Sequence, residues 1–154
     1  MKKVLLLVCA VLFSFGTYAQ IETPQPSPSQ KIEQTVGLTD ITLEYSRPAM
    51  RDRTIFGGLV PYGKMWRTGA NKNTTITFNK PIMIDGTELK PGSYAIYTKP
   101  NKENWEVYFY SDANNWGTPQ KWDESKVAAK ATAQVYPMPM DIQSFTMTFD
   151  DVTH

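Results

Sequence analysis

The sequence predicts an all-β fold: an antiparallel β-sandwich, or a partly open barrel, carrying one long packed loop. Three observations predict it. Short runs alternate apolar and polar residues with a period of two, as at Ile41, Leu43 and Tyr45. Turn residues recur at short intervals between the runs, and no stretch carries the apolar stripe of a helix. Residues 46–71 have neither period, yet they hold Ile55, Phe56, Leu59, Val60, Tyr62, Met65 and Trp66, more apolar surface than a disordered segment carries.

In chain order, residues 1–19 read as a secretory signal peptide. Lys2 and Lys3 lead, residues 4–15 are apolar, and Thr17, Tyr18 and Ala19 form a small-residue cleavage site. Gln20 is then the mature N-terminus, and the protein is exported to the periplasm or beyond the cell. The apolar run is too short for a comfortable membrane span, so no stable insertion is expected after cleavage. The one cysteine, Cys9, lies inside that run. The mature domain therefore lacks disulfides, metal thiolates and a cysteine nucleophile. The full sequence has 16 basic and 15 acidic residues; losing Lys2 and Lys3 leaves 14 and 15, a net charge of −1. A nucleic-acid partner needs a basic excess that is absent here. Residues 20–31, with Pro24, Pro26, Ser27, Pro28 and Ser29, read as an extended, mobile tether. Residues 32–154 form a single sandwich domain, large enough for one core.

Ile32, Gln34 and Val36 open the first strand, Gly37 and Leu38 turn, and residues 39–45 return as the second. Residues 74–78 are β-branched and aromatic, a further strand. Residues 81–84 and 87–89 flank Asp85-Gly86, the signature of a hairpin on a type I′ turn. Pro91-Gly92 turns the chain into residues 93–98, with Tyr94 and Ile96 on one face and Ala95 and Tyr97 on the other. Residues 105–110, 126–136 and 142–149 complete the strands. The sequence stops soon after Phe149, so a truncated chain with its last strand missing and an unpaired edge is expected, which is an aggregation liability.

The loop is the chemically unusual part. All four arginines, Arg47, Arg51, Arg53 and Arg67, lie within it, and Gly57, Gly58, Gly63 and Gly69 supply positive φ for its turns. Guanidinium forks suit carboxylates, phosphates and sulfates. Arg47, Arg53 and Arg67, with Tyr45, Tyr62, Trp66 and Asn71, therefore form a candidate anion or sugar-acid site. The competing reading is that the arginines brace the loop by bonding its orphan carbonyls or pairing with Asp40, Glu44 or Asp52.

The pattern SRP, then IFGGLVPYG, then WRTGAN and a T-x-T-F strand, with the later PGSYAIYT and Asn115-Trp116-Gly117, resembles the family catalogued as domain of unknown function 2911. The resemblance implies a β-sandwich, export from Bacteroidetes-type bacteria and no established activity. Where that family has a glycine-arginine step, this chain has Asp52-Arg53; aspartate tolerates positive φ better than most residues.

Other constellations are sparse. Trp116 and Trp122 sit among amides and carboxylates, where an exposed indole stacks on a sugar ring; the alternative is a buried plug at the end of the sandwich. Trp105 alternates within its strand and belongs to the core. The sole histidine, His154, is terminal, so a histidine-based triad or metal cluster is not expected. Asp112, Asp123 and Glu124 contain no pair with a reason to act in glycoside hydrolysis, and Asp112, Asn114 and Asp123 lack a calcium-loop signature. No catalytic residue, metal or cofactor is assigned. The expected function is a non-enzymatic module that binds a small anion or carbohydrate at Arg47, Arg53, Tyr62, Trp66, Arg67 and Asn71. Its alternatives are a structural or protein-partner-binding domain, whose partner the sequence does not identify, and a hydrolase.

Overall fold

A β-strand longer than its neighbour leaves backbone groups that must find other partners, and that mismatch organises this molecule. The structure is a computed structural model that describes residues 23–150; the expected signal peptide, with Cys9, and His154 lie outside them. Eight strands follow in order: β1 Ser29–Val36, β2 Thr39–Ser46, β3 Thr74–Phe78, β4 Ile82–Ile84, β5 Thr87–Leu89, β6 Gly92–Pro100, β7 Asn104–Tyr110 and β8 Val127–Gln134. A single 3-10 turn, Glu124–Lys126, precedes β8. Six strands form one antiparallel sheet in the order β1-β2-β3-β6-β7-β8, and β4 and β5 pair as a separate hairpin. The all-β antiparallel prediction holds, and the sheet does not close into a barrel.

Alternation gives the large sheet two apolar faces. Leu43, Tyr45, Ile76, Phe78, Ile96 and Phe109 point to one side, where Leu89 and the half-buried Ile82 and Ile84 of the hairpin pack on them. Each such side chain stabilises by roughly 1.5–3 kcal/mol when fully buried. Asp85 and Gly86 hold φ of 43° and 78°, as a type I′ turn requires. Ala95, Tyr97, Tyr108 and Tyr110 point to the other side, under Met65, Trp122 and Val127. The split of Tyr94 and Ile96 from Ala95 and Tyr97 is as the sequence predicts. The second layer of the sandwich is thus a small hairpin on one face and packed loops on both.

Two expectations are corrected. Residues 142–149 do not form a strand: their backbone makes a lone bridge, Ala49 with Ser144. The segment is held instead by Phe145 N–H to the Pro48 carbonyl at 2.9 Å and by Met147 N–H to the Tyr45 hydroxyl at 3.0 Å. Phe145, Met147 and Phe149 pack on the first core, so their alternation marks a cover laid across the sheet. Among the described residues no ladder forms there, so this segment does not present the unpaired edge expected of it. The tether is also shorter than expected. β1 begins at Ser29, and the Pro28 carbonyl accepts from Arg47 N–H at 2.9 Å, so the end of the Pro/Ser run belongs to the fold.

On the second face Glu106 gathers three donors. Its carboxylate accepts from the Tyr108 hydroxyl at 2.7 Å and from Lys99 and Lys130 at 3.0 Å each. The Tyr108 bond, then Lys130 and Lys99, hold its pKa down at about 2 against an ordinary 4.5. A depressed carboxylate stabilises the fold above its unfolded pKa and loses that contribution as pH falls toward the folded value. Glu106→Gln should therefore be less stable than wild type at neutral pH, with the gap closing between about pH 5 and pH 2. Urea melts across that range check it; a gap independent of pH would show that the network does not act through ionised Glu106.

Candidate functional site

The long loop joins β2 to β3, and three of its arginines tie it to nearby chain: Arg53 to the loop's own carbonyls, Arg47 to the C-terminal segment and Arg51 to the N-terminal run. Arg47 donates from Nε to the Phe145 carbonyl at 3.0 Å and from Nη2 to the Thr146 hydroxyl at 2.8 Å. Arg53 donates to the carbonyls of Met50 at 3.0 Å and Ala49 at 2.8 Å. Arg51 reaches the Pro26 carbonyl at 3.5 Å. These contacts support the bracing reading for the first half of the loop, whose irregular carbonyls have few ladder partners. Arg51 and Asp52 sit at φ of 50° and 57°, so the aspartate does adopt the left-handed turn. Gly58 has no positive φ; it is glycine because a Cβ would strike the Thr54 carbonyl oxygen.

Trp66 is the half-buried anchor. Its ring lies 5.8 Å from Phe56, 6.2 Å from Trp105 and 5.2 Å from Phe145, all edge to face, a preferred aromatic geometry. Its indole N–H donates to the Gly69 carbonyl at 3.2 Å. Tyr62 is part-exposed, with its ring over Gly57, where it leaves no room for a Cβ.

Beyond Trp66 the loop turns tightly. Thr68, Gly69 and Asn71 adopt φ of 56°, 147° and 58°. For the β-branched Thr68 this is a strained conformation of the kind that clusters at functional sites. It is over-determined: Thr68 is buried, its hydroxyl meets that of Thr98 at 3.1 Å, and its carbonyl accepts from Thr74. Asn71 donates to the Ser27 carbonyl at 3.3 Å. Asn73, also buried, joins this stretch to the loop after β7. Its N–H donates to the Asn115 carbonyl at 3.1 Å, its amide nitrogen to the Ala113 carbonyl at 3.2 Å, and its amide oxygen accepts from Asn115 N–H at 2.9 Å.

That staple presents Trp116. The residue bridges to Lys72 and is 80 % exposed, so the buried-plug alternative is overturned. Trp116, Asn71, Lys72, Ser46, Ser29, Pro26 and Gln25 line an open groove of about 310 Å³. Arg67 lies beside it: Nη1 stands 3.8 Å from where a Gly117 Cβ would be, and its buried Nε has no hydrogen-bond partner. Of the six residues expected to form one site, Asn71 lines the groove and Arg67 adjoins it. Arg47, Arg53, Tyr62 and Trp66 are not in its lining.

A second depression of about 410 Å³ holds Asp112, Lys121, Trp122, Asp123, Glu124 and Lys126. Its carboxylates have structural partners. Lys126 sits 3.0 Å from Asp112, Ser125 N–H and hydroxyl both donate to Asp123, and the Trp122 indole donates to Glu124 at 2.9 Å. Lys126 foremost holds Asp112 below the usual carboxylate range, and the Ser125 bonds do so for Asp123. A glycosidase acid needs the opposite shift. Trp122 itself packs on Tyr97, Tyr108 and Tyr110, and burial foremost pushes Tyr97 up to about 12. Among the described residues no group of three or more His, Cys, Asp or Glu is placed to hold a metal ion.

Lys72, Ser46, Ser29 and Gln25 are groove residues that the sequence reading missed. Gln25 and Ser29 fall in the Pro/Ser run, whose composition speaks for a tether. Lys72 follows Asn71 directly and carries no distinguishing signal. Among the described residues no helix is long and apolar enough to cross a membrane.

The architecture is that of a sandwich-like antiparallel β-domain whose β2–β3 loop and post-β7 loop are stapled together around an exposed indole. The chain belongs to the family described as Protein of unknown function (DUF2911), whose model matches residues 27–154. It matches no curated protein and no solved structure.

The bracing geometry has a measurable consequence. Arg47→Ala removes two hydrogen bonds from a half-buried site and should lower unfolding stability by about 1–3 kcal/mol. Equilibrium urea denaturation measures it; a change within ~0.5 kcal/mol would place Arg47 among ordinary surface residues.

Proposed function

We propose that this protein is a non-enzymatic binding module that holds a sugar-like ligand bearing an acidic group in the groove beside Trp116. One observation carries the reading: a tryptophan 80 % exposed on a loop that hydrogen bonds from the buried Asn73 hold in place. Tryptophan is buried on average, and an indole held in water is a flat apolar platform. The C–H face of a sugar ring suits that platform. Asn71, Gln25, Ser29 and Ser46 supply donors and acceptors for hydroxyl groups. Lys72 is exposed, makes no ion pair among the described residues and brings the charge that favours a carboxylate or sulfate. The leader-like residues 1–19 fit a ligand met outside the cytoplasm. The partnered carboxylates of the second depression favour binding over hydrolysis. A protein-partner role draws support from the exposed row Tyr136, Met138, Met140 and Ile142, a solvent-facing apolar run.

The test is affinity electrophoresis and calorimetry of residues 20–154 against neutral and uronic-acid polysaccharides. Trp116→Ala should abolish binding while leaving the melting temperature unchanged, and Lys72→Ala should weaken acidic ligands selectively. Bound ligand should raise the wild-type melting temperature as RT ln(1 + [L]/Kd) predicts. No binding to either class, or binding indifferent to Trp116→Ala, overturns the proposal and leaves the partner-binding role.

A further inference from the structure

β1 is an edge strand. Among the described residues its only neighbour in the sheet is β2, and six of its eight side chains, Val36 included, face solvent, as does Leu38 at the hairpin tip. An edge of this kind offers a row of free N–H and C=O groups to another strand. Natural edges are usually blunted by an unopposed charge, often lysine, that repels or strands a newcomer. Here the charges cancel locally: Lys31 and Glu33 lie two residues apart, on the same side of the strand, and pair with each other. Between them Ile32 turns inward and packs against the first core.

That sequence is complementary to itself. Antiparallel pairing of two copies centred on Ile32 places Lys31 opposite Glu33 of the second copy, and Glu33 opposite its Lys31. The same register sets Gln30 against Gln34, Ser29 against Thr35 and the exposed Val36 against Pro28. Two opposite-charge pairs, two amide pairs and two apolar contacts result, and no like charges meet. From this we infer that the edge of β1 is a self-association surface whose occupant is a second copy of the chain, extending the six-stranded sheet into a continuous twelve-stranded one. Ser29 also lines the Trp116 groove, so the pair carries two grooves on one continuous sheet and would engage a polymeric ligand bivalently.

The experiment is sedimentation equilibrium on residues 20–154, which reads the oligomeric state over a concentration series. Wild type should show a monomer–dimer equilibrium that weakens in 1 M salt. Lys31→Glu and Glu33→Lys each put like charges face to face twice and should raise the dimer dissociation constant about tenfold or more. The double swap, K31E together with E33K, restores both opposite pairs and should return the constant to within about threefold of wild type. Far-UV circular dichroism confirms that all three variants fold, since both side chains are solvent-exposed. A protein monomeric at every concentration overturns the inference, as does a dimer that the single swaps leave intact or the double swap fails to rescue. Capture of a different protein by a chain that stays monomeric overturns it too.

Discussion

The structure depends on two main-chain hydrogen bonds between Trp66 and Thr98. Trp66 N–H donates to the Thr98 carbonyl at 2.7 Å, and Thr98 N–H donates back to the Trp66 carbonyl at 2.9 Å. They exist because β6 outruns its partner: β3 pairs with it from Gly92 to Ile96, while β6 continues to Pro100. The backbone beyond Ile96 needs partners, and the loop provides them; Gly63 N–H, donating to the Pro100 carbonyl at 2.9 Å, adds a third bond. A long irregular connection thereby becomes a piece of the sheet. Around this pin the rings of Phe56, Trp66, Trp105 and Phe145 interlock, so the loop and the C-terminal cover are fastened by one aromatic cluster.

Once Trp66 is fixed, the turn after it has little freedom. The chain has seven residues in which to pass from Thr98 at one end of β6 to the start of β3, and it does so through the left-handed conformations of Thr68, Gly69 and Asn71. Gly69 passes so close to β2 that a Cβ would stand 3.0 Å from the Ser46 carbonyl oxygen. Strain of about 1–3 kcal/mol at such a residue persists only where the surroundings enforce it. Here they consist of the Thr68, Thr74 and Thr98 hydroxyls and the Asn73 amide, all on buried residues. The outcome is the placement of Trp116 in water, next to Asn71 and Lys72.

Much of the fold was legible in the sequence, and the reasons are local. Period-two alternation places Leu43 and Tyr45, or Ile96 against Tyr97, on their faces without knowledge of partners, and Asp85-Gly86 declares its turn by backbone preference alone. The loop was legible as packed because its apolar content has no other use. The strand expected over 142–149 shows the limit: alternation reports that one side of a segment is buried, and a segment laid across a sheet satisfies that as well as a paired strand. The site was harder to see. Arginine clustering in sequence implied convergence in space, but guanidiniums are equally good partners for orphan carbonyls, and Arg53 is used that way within the loop and Arg47 against the C-terminal segment. The groove draws on residues 25–26, 29, 46, 71–72 and 116, and tertiary pairings such as those of Asn71, Asn73 and β1 bring those distant stretches together.

The most direct test of this account is native-state amide hydrogen exchange at Trp66 and Thr98. If the loop is pinned as a working part of the sheet, both amides open only with the strand core, with the same exchange free energy and the same denaturant dependence as Ile96 and Phe109. Exchange at Trp66 through a local, denaturant-independent opening of much lower free energy would show the loop lifting freely, and the rigid presentation of Trp116 would lose its basis.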